Sequence, residues 1–148
     1  MSNLNVKPSD RAPLVGVINP QSATTAKSSG YVDMQRFPGG ILATVKAGVI
    51  ATNGTVDAKL EQATTDGGTP KDVTGKAITQ LTEAGTDSNK QVEINCLQED
   101  LDVAGGYRWV RLTITPATAA ALIDGEIRGF DAAYGPAADL ASVDEVVG

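Results

Sequence analysis

Three acidic residues lie within one short stretch, Glu99, Asp100 and Asp102, and they are the first groups to test for chemistry. A glycosidase needs two carboxyl groups held across a sugar cleft at a set separation. Neighbouring acids in a connector give no such spacing. Calcium binding through the same oxygens would call for the EF-hand spacing and its terminal glutamate, and both are missing. The bland reading, solvated loop charges, is preferred. The chain has no histidine and one cysteine, Cys96. Zinc centres, Ser-His-Asp triads and Cys-His pairs are thereby excluded in their usual forms. Any catalysis would have to run on carboxylates, Lys, Tyr or Ser, so an enzyme ranks last among the readings. No catalytic, cofactor or metal residue is assigned. Gly67-Gly68 and Gly105-Gly106 lack the surroundings of a phosphate loop and read as turns.

The stretch GGYRWVRLTIT, Gly105 to Thr115, offers a different kind of site. At a period of two, Val110, Leu112 and Ile114 share one face, while Tyr107, Trp109, Arg111 and Thr113 share the other. The first is a core face. The second carries the chain's one tryptophan beside an arginine, and Trp, Tyr and Arg dominate the centres of protein interfaces. Tyr107, Trp109 and Arg111 are therefore the candidate interface residues, with Arg36 and Arg128 as extensions. The competing reading buries these aromatics under the protein's own loops, with Arg111 reaching out to solvent.

The elements that would position this face read as strands. LVGVIN, Leu14 to Asn19, is a strand candidate stopped by Pro20, and 21–30 is undecided between strand and loop. Tyr31 to Met34 is a short extended piece. ILATVKAGVIAT and TVDAKLEQ flank Asn53-Gly54, a strong two-residue hairpin signal. The implied register sets Thr52 opposite Thr55, Ala51 opposite Val56, Val49 opposite Ala58, and Ala47 opposite Leu60. Lys46 then faces Glu61 and Ile50 faces Asp57 on the polar side. Asp66 to Pro70 is a second turn, and Lys76 to Ala84 allows a short helix or a strand. Lys90 to Leu97 is a strand whose alternation, Val92, Ile94, Cys96, makes the cysteine a buried small apolar residue. The strand over 107–115 ends at Pro116. A glycine-containing strand over about 120–130 supplies a closing partner.

The bulk numbers fit this. A chain of 148 residues suits one domain that buries roughly 70% of its unfolded surface. Sixteen glycines, seven prolines and 4% aromatics favour short strands and many turns. A formal charge of -6 argues against nucleic acid, which needs a basic footprint. No apolar stretch has membrane-spanning or signal-peptide length, and one cysteine allows no internal disulfide. The expectation is an all-β antiparallel sandwich or jelly roll over 14–136. An extended arm over 1–13 and an acidic, mobile tail over 137–148 flank it.

On these residues, chiefly GVIATNGTVDAKLEQATTDGG and GGYRWVRLTIT, the chain resembles the small β-sandwich head decoration, or cement, proteins of tailed bacteriophages. The likeness covers about Leu14 to Pro136. It implies a non-catalytic protein on the outer surface of the capsid, commonly a homotrimer, that clamps neighbouring major capsid proteins after assembly in the host cytoplasm. The chain departs from lambda-type decoration proteins in being longer and in its acidic tail. Rival readings are another β-rich virion part (tail tube, head–tail joining or receptor-binding module) and a carbohydrate-binding sandwich. The latter would use Tyr31, Tyr107, Trp109 and Tyr134 as sugar platforms.

Overall fold

The structure is a computed structural model that describes residues 6–134 and 138–148. Pro8–Arg11 forms a single helical turn, α1. Ten strands follow: β1 Leu14–Ala23, β2 Lys27–Ser28, β3 Val32–Asp33, β4 Ile41–Ile50, β5 Thr55–Ala63, β6 Lys71–Ala77, β7 Leu81–Thr82, β8 Gln91–Cys96, β9 Trp109–Ala117 and β10 Ala121–Gly129. Short 3-10 turns cover Met34–Arg36 and Gln98–Asp100. All strand pairings are antiparallel. One sheet runs β1-β10-β4-β8; the other runs β2-β9-β5-β6, with β3 also on β9 and β7 also on β5. The protein is an all-β sandwich, as expected.

The core lies between the sheets and is made by alternation. Ala43, Val45, Ile123 and Ile127 face inward from the first sheet, and Val56, Leu60, Val110, Leu112 and Ile114 from the second. Gly125 on β10 sets how closely the sheets approach. A Cβ there would lie 2.9 Å from a Leu112 methyl and 3.1 Å from the Ile114 Cδ1, so even alanine would push the layers apart. The strand over 121–129 is the closing partner that the sequence calls for: it sits between β1 and β4.

The Asn53-Gly54 hairpin is overturned. The two flanking strands lie in opposite sheets: β4 pairs with β10 and β8, and β5 with β9, β6 and β7. A type I′ turn needs positive φ at both central residues, yet only Asn53 has it, at 65°. The turn is one residue earlier, closed by the Gly54 N–H donating to the Ala51 carbonyl at 2.8 Å. Gly54 is there for room, since a Cβ would come within 2.8 Å of both the Ala51 oxygen and Ile50 Cγ2. A turn of this kind carries the chain across to the facing sheet, not back alongside itself. Lys46 thus meets Asp124 and Gln91 in place of Glu61. The inward set also changes near the turn. Ala121 pairs with Ile50 but Ile123 with Ala47, a bulge of one extra residue on β4. It turns Ile50 into the core and leaves Val49 58% exposed, the reverse of the expected faces.

Other boundaries shift for identifiable reasons. β1 runs past Pro20 to Ala23, because it is an edge strand with an irregularity between Ile18 and Gln21 where proline is tolerated. β9 likewise runs through Pro116, which is buried opposite Val56. Over 76–84 there is no helix. β6 ends at Ala77, the Ile78 N–H donates to the Ala58 carbonyl, and β7 resumes along β5. Of the expected extended arm, residues 1–5 lie outside the described residues and 8–11 are helical. The expected boundary at 136 also lies outside them. Residues 138–143 fold back on β1: the Leu14 N–H donates to Asp139 Oδ1 at 2.7 Å and the Leu140 N–H to the Leu14 carbonyl at 2.9 Å.

Cys96 is 1% exposed, and burial pushes its thiol up to about 11. Since the thiolate is the reactive form, a disulfide-exchange reagent at pH 8 is expected to leave native protein unlabelled. It should consume one thiol per chain once denaturant is added. Rapid native labelling would place this strand edge in open solution.

Candidate functional site: the outer side of the second sheet

On β9 the residues between the core positions point outward, as read from the sequence. Trp109 pairs with Ala63 on β5, Arg111 with Glu61, and Thr113 with Lys59. This outer surface is built, not bare. Glu61 is only 8% exposed and accepts from Arg111 Nε at 3.1 Å and from the Thr113 hydroxyl. Ser28 Oγ lies 2.8 Å from the Thr113 hydroxyl, and Lys59 bridges to Asp72 at 2.7 Å. Tyr31, in the link between β2 and β3, lies across the sheet. Its hydroxyl donates to the Gly68 carbonyl in the β5–β6 turn, and the Arg111 guanidinium sits 5.1 Å from its ring centre. Arg108 stands 5.7 Å over the Trp109 ring and Lys71 4.5 Å over Tyr107. Three aromatic rings are thus each held by a cation, an arrangement that stabilises both partners where water is partly excluded.

The five expected interface residues divide. Tyr107, Trp109 and Arg111 lie along or just before β9, all half-buried. Tyr107 precedes the strand proper and packs toward Lys71. Arg36 joins them from the 3-10 turn, because it lines a cavity with Trp109. Arg128 does not. It lies on β10, in the opposite sheet, where Nη1 donates to the Ala12 carbonyl at 2.8 Å.

The cavity holds about 560 Å³ and is walled by Tyr31, Phe37 and Trp109, with Asp33, Arg36 and Val15 beside them. Ala138 to Ala141 form its rim. Asp33 is engaged by Arg108 through two hydrogen bonds, from Nε at 3.0 Å and from Nη2. Burial works to raise the Asp33 carboxyl, but the Arg108 guanidinium and the Gln35 N–H together hold it below its ordinary value of 3.8. A depressed carboxyl stabilises the fold fully above that ordinary value, and the contribution is lost as pH falls through the lower, folded one. Acid unfolding followed by tryptophan fluorescence is therefore expected to have a component below about pH 4 that Asp33→Asn removes. Identical acid limbs in the two proteins would rule the ion pair out as a contributor.

Sequence reasoning missed Asp33, Glu61 and Arg108, the residues that fix this surface. Arg108 was in view within GGYRWVRLTIT, yet its partner is 75 positions away. Of the acids 99, 100 and 102, Glu99 is exposed and the other two pair with lysines of β6. Asp100 accepts from the Leu97 N–H and meets Lys76 at 3.3 Å, and Asp102 meets Lys71 at 2.7 Å. Of the four aromatics proposed as sugar platforms, Tyr31 and Trp109 share the cavity; Tyr134 is 86% exposed and outside its lining.

Comparison of the chain with protein-family models, with curated proteins and with solved structures finds no match.

Proposed function

We propose that the chain is a virion structural protein. In this reading it decorates the outer surface of a phage head, binds the major capsid protein and self-associates as a homotrimer. The observation that carries this is the outer side of the second sheet. Tyr31, Trp109 and Arg111 are held in fixed poses by ion pairs and cation–ring contacts, yet stay half-buried and open to a partner. Fixing such side chains before contact lowers the ordering cost of association, and these residue types carry most interface energy. A clamp repeated over a shell needs only a modest contact at each copy. The strand order of the two sheets is that of a jelly roll built from two Greek keys, which supports that finer fold assignment.

The test is co-sedimentation of purified chain with emptied heads of its own virus that lack it, with bound copies counted by quantitative mass spectrometry. Saturation at hundreds of copies per head supports decoration. A handful of copies assigns the chain to the tail or the head–tail joint, and no attachment overturns the reading. One observation favours a second reading, a carbohydrate-binding sandwich: Tyr31 and Trp109 wall one cavity that also holds Asp33 and Arg36. A glycan array with the Trp109→Ala variant as control decides it.

A further inference from the structure

We infer that the cavity walled by Tyr31, Phe37 and Trp109 receives the acidic-apolar segment Asp144–Val147 of a second copy of this chain. The inference rests on reading this side of the sandwich as a self-association surface, and names the contact. Charge comes first. Three of the lining residues are charged: Asp33 is paired with Arg108, and the Asp139 carboxylate accepts from the Leu14 N–H. Arg36 is exposed and makes no ion pair among the described residues. The cavity is thus an aromatic recess with one exposed arginine at its side, whose charge acts on Asp33 but is closed by no ion pair among the described residues, in a chain of net charge -6. It calls for a segment that pairs apolar side chains with a carboxylate.

The chain carries such a segment next to the rim. After the rim residues Ala138–Ala141, the Val143 N–H donates to the Leu140 carbonyl, and the chain then leaves the cavity. Asp144, Glu145, Val146 and Val147 follow with no role in lining it, and Val146 and Val147 are 50% and 86% exposed. Two exposed valines beside two acids match a recess that has aromatic walls and an arginine. The volume, about 560 Å³, lies in the usual range for bound segments and ligands. Because segment and cavity are different patches, the contact is head-to-tail, and such contacts close into rings when the rotation allows. A ring of three is the homotrimer proposed above.

Trp109 is the chain's one tryptophan, so its fluorescence reads the cavity directly. Sedimentation velocity of the full chain across concentrations is expected to show self-association. Deletion of Asp144–Gly148, or Arg36→Glu, should weaken it by at least about tenfold while the melting temperature holds. An amidated peptide of sequence Asp-Glu-Val-Val-Gly should shift the Trp109 emission of the deleted chain and not that of its Arg36→Glu form. Combining Arg36→Glu with Asp144→Lys and Glu145→Lys should restore association. A chain that is monomeric at every concentration overturns the inference, as does an oligomer unchanged by the deletion. Head attachment is measured separately: its loss with the oligomer intact sinks only the capsid reading, and an oligomer indifferent to the segment sinks only this one.

Discussion

Leu112→Ala is expected to destabilise the fold by about 2–5 kcal/mol, lowering Tm by roughly 6–20 °C. Leu112 has no exposed surface, pairs with Leu60 across the sheet and faces Gly125 of the other sheet. Removing its isobutyl group loses the transfer energy of the side chain. It also opens a void that rigid neighbouring strands fill only in part. The position is central to both layers, because β9 touches β5 along its length and β10 across the core. Differential scanning calorimetry of the two proteins checks this. A change below about 1 kcal/mol would mean that the sheets close over the gap, which the Gly125 contact argues against.

Three residues earlier on the same strand, the largest effect should appear in association instead. If the chain decorates heads as proposed, Trp109→Ala is expected to weaken that attachment by about 2 kcal/mol or more per contact, a loss of roughly 30-fold. Thermal stability should fall by about 1 kcal/mol. The asymmetry follows from placement. Trp109 faces outward, half-buried, with Arg108 over its ring and a cavity beside it. In isolation it contributes part of its area to the fold, while a partner would bury the rest. Co-sedimentation and melting curves on the same preparations separate the two. A parallel loss in both would mean that the side chain belongs to the sandwich's own packing and that the interface is elsewhere.

The local pattern was readable wherever a strand keeps strict alternation. Val110, Leu112 and Ile114 take the core face from a period of two, as does Cys96 in its alternation with Ile94, and they are inward. Side-chain direction within a strand is a property of the chain itself. The turn at 66–70 was likewise legible, since turn residues act over a few positions, whereas Asp100 and Asp102, read as solvated loop charges, meet Lys76 and Lys71.

What the sequence alone determined, then, is the class of the protein: alternating strands, turn punctuation and one face of β9 fit for the core. Only the tertiary structure decided which strands are neighbours. Asn53-Gly54 carried the local signal of a hairpin, yet β4 and β5 lie in opposite sheets and face each other across the core. One bulged residue then exchanged the roles of Val49 and Ile50. The candidate site depends on the same kind of choice. Asp33 reaches Arg108 across 75 positions and Tyr31 reaches Gly68 across 37, distances over which no periodicity carries information. Arg128 and Arg111, alike in the sequence, fall on opposite sheets. Period two fixes a side chain's face relative to its own strand. Which surface that face becomes is set by the summed burial of all the strands at once.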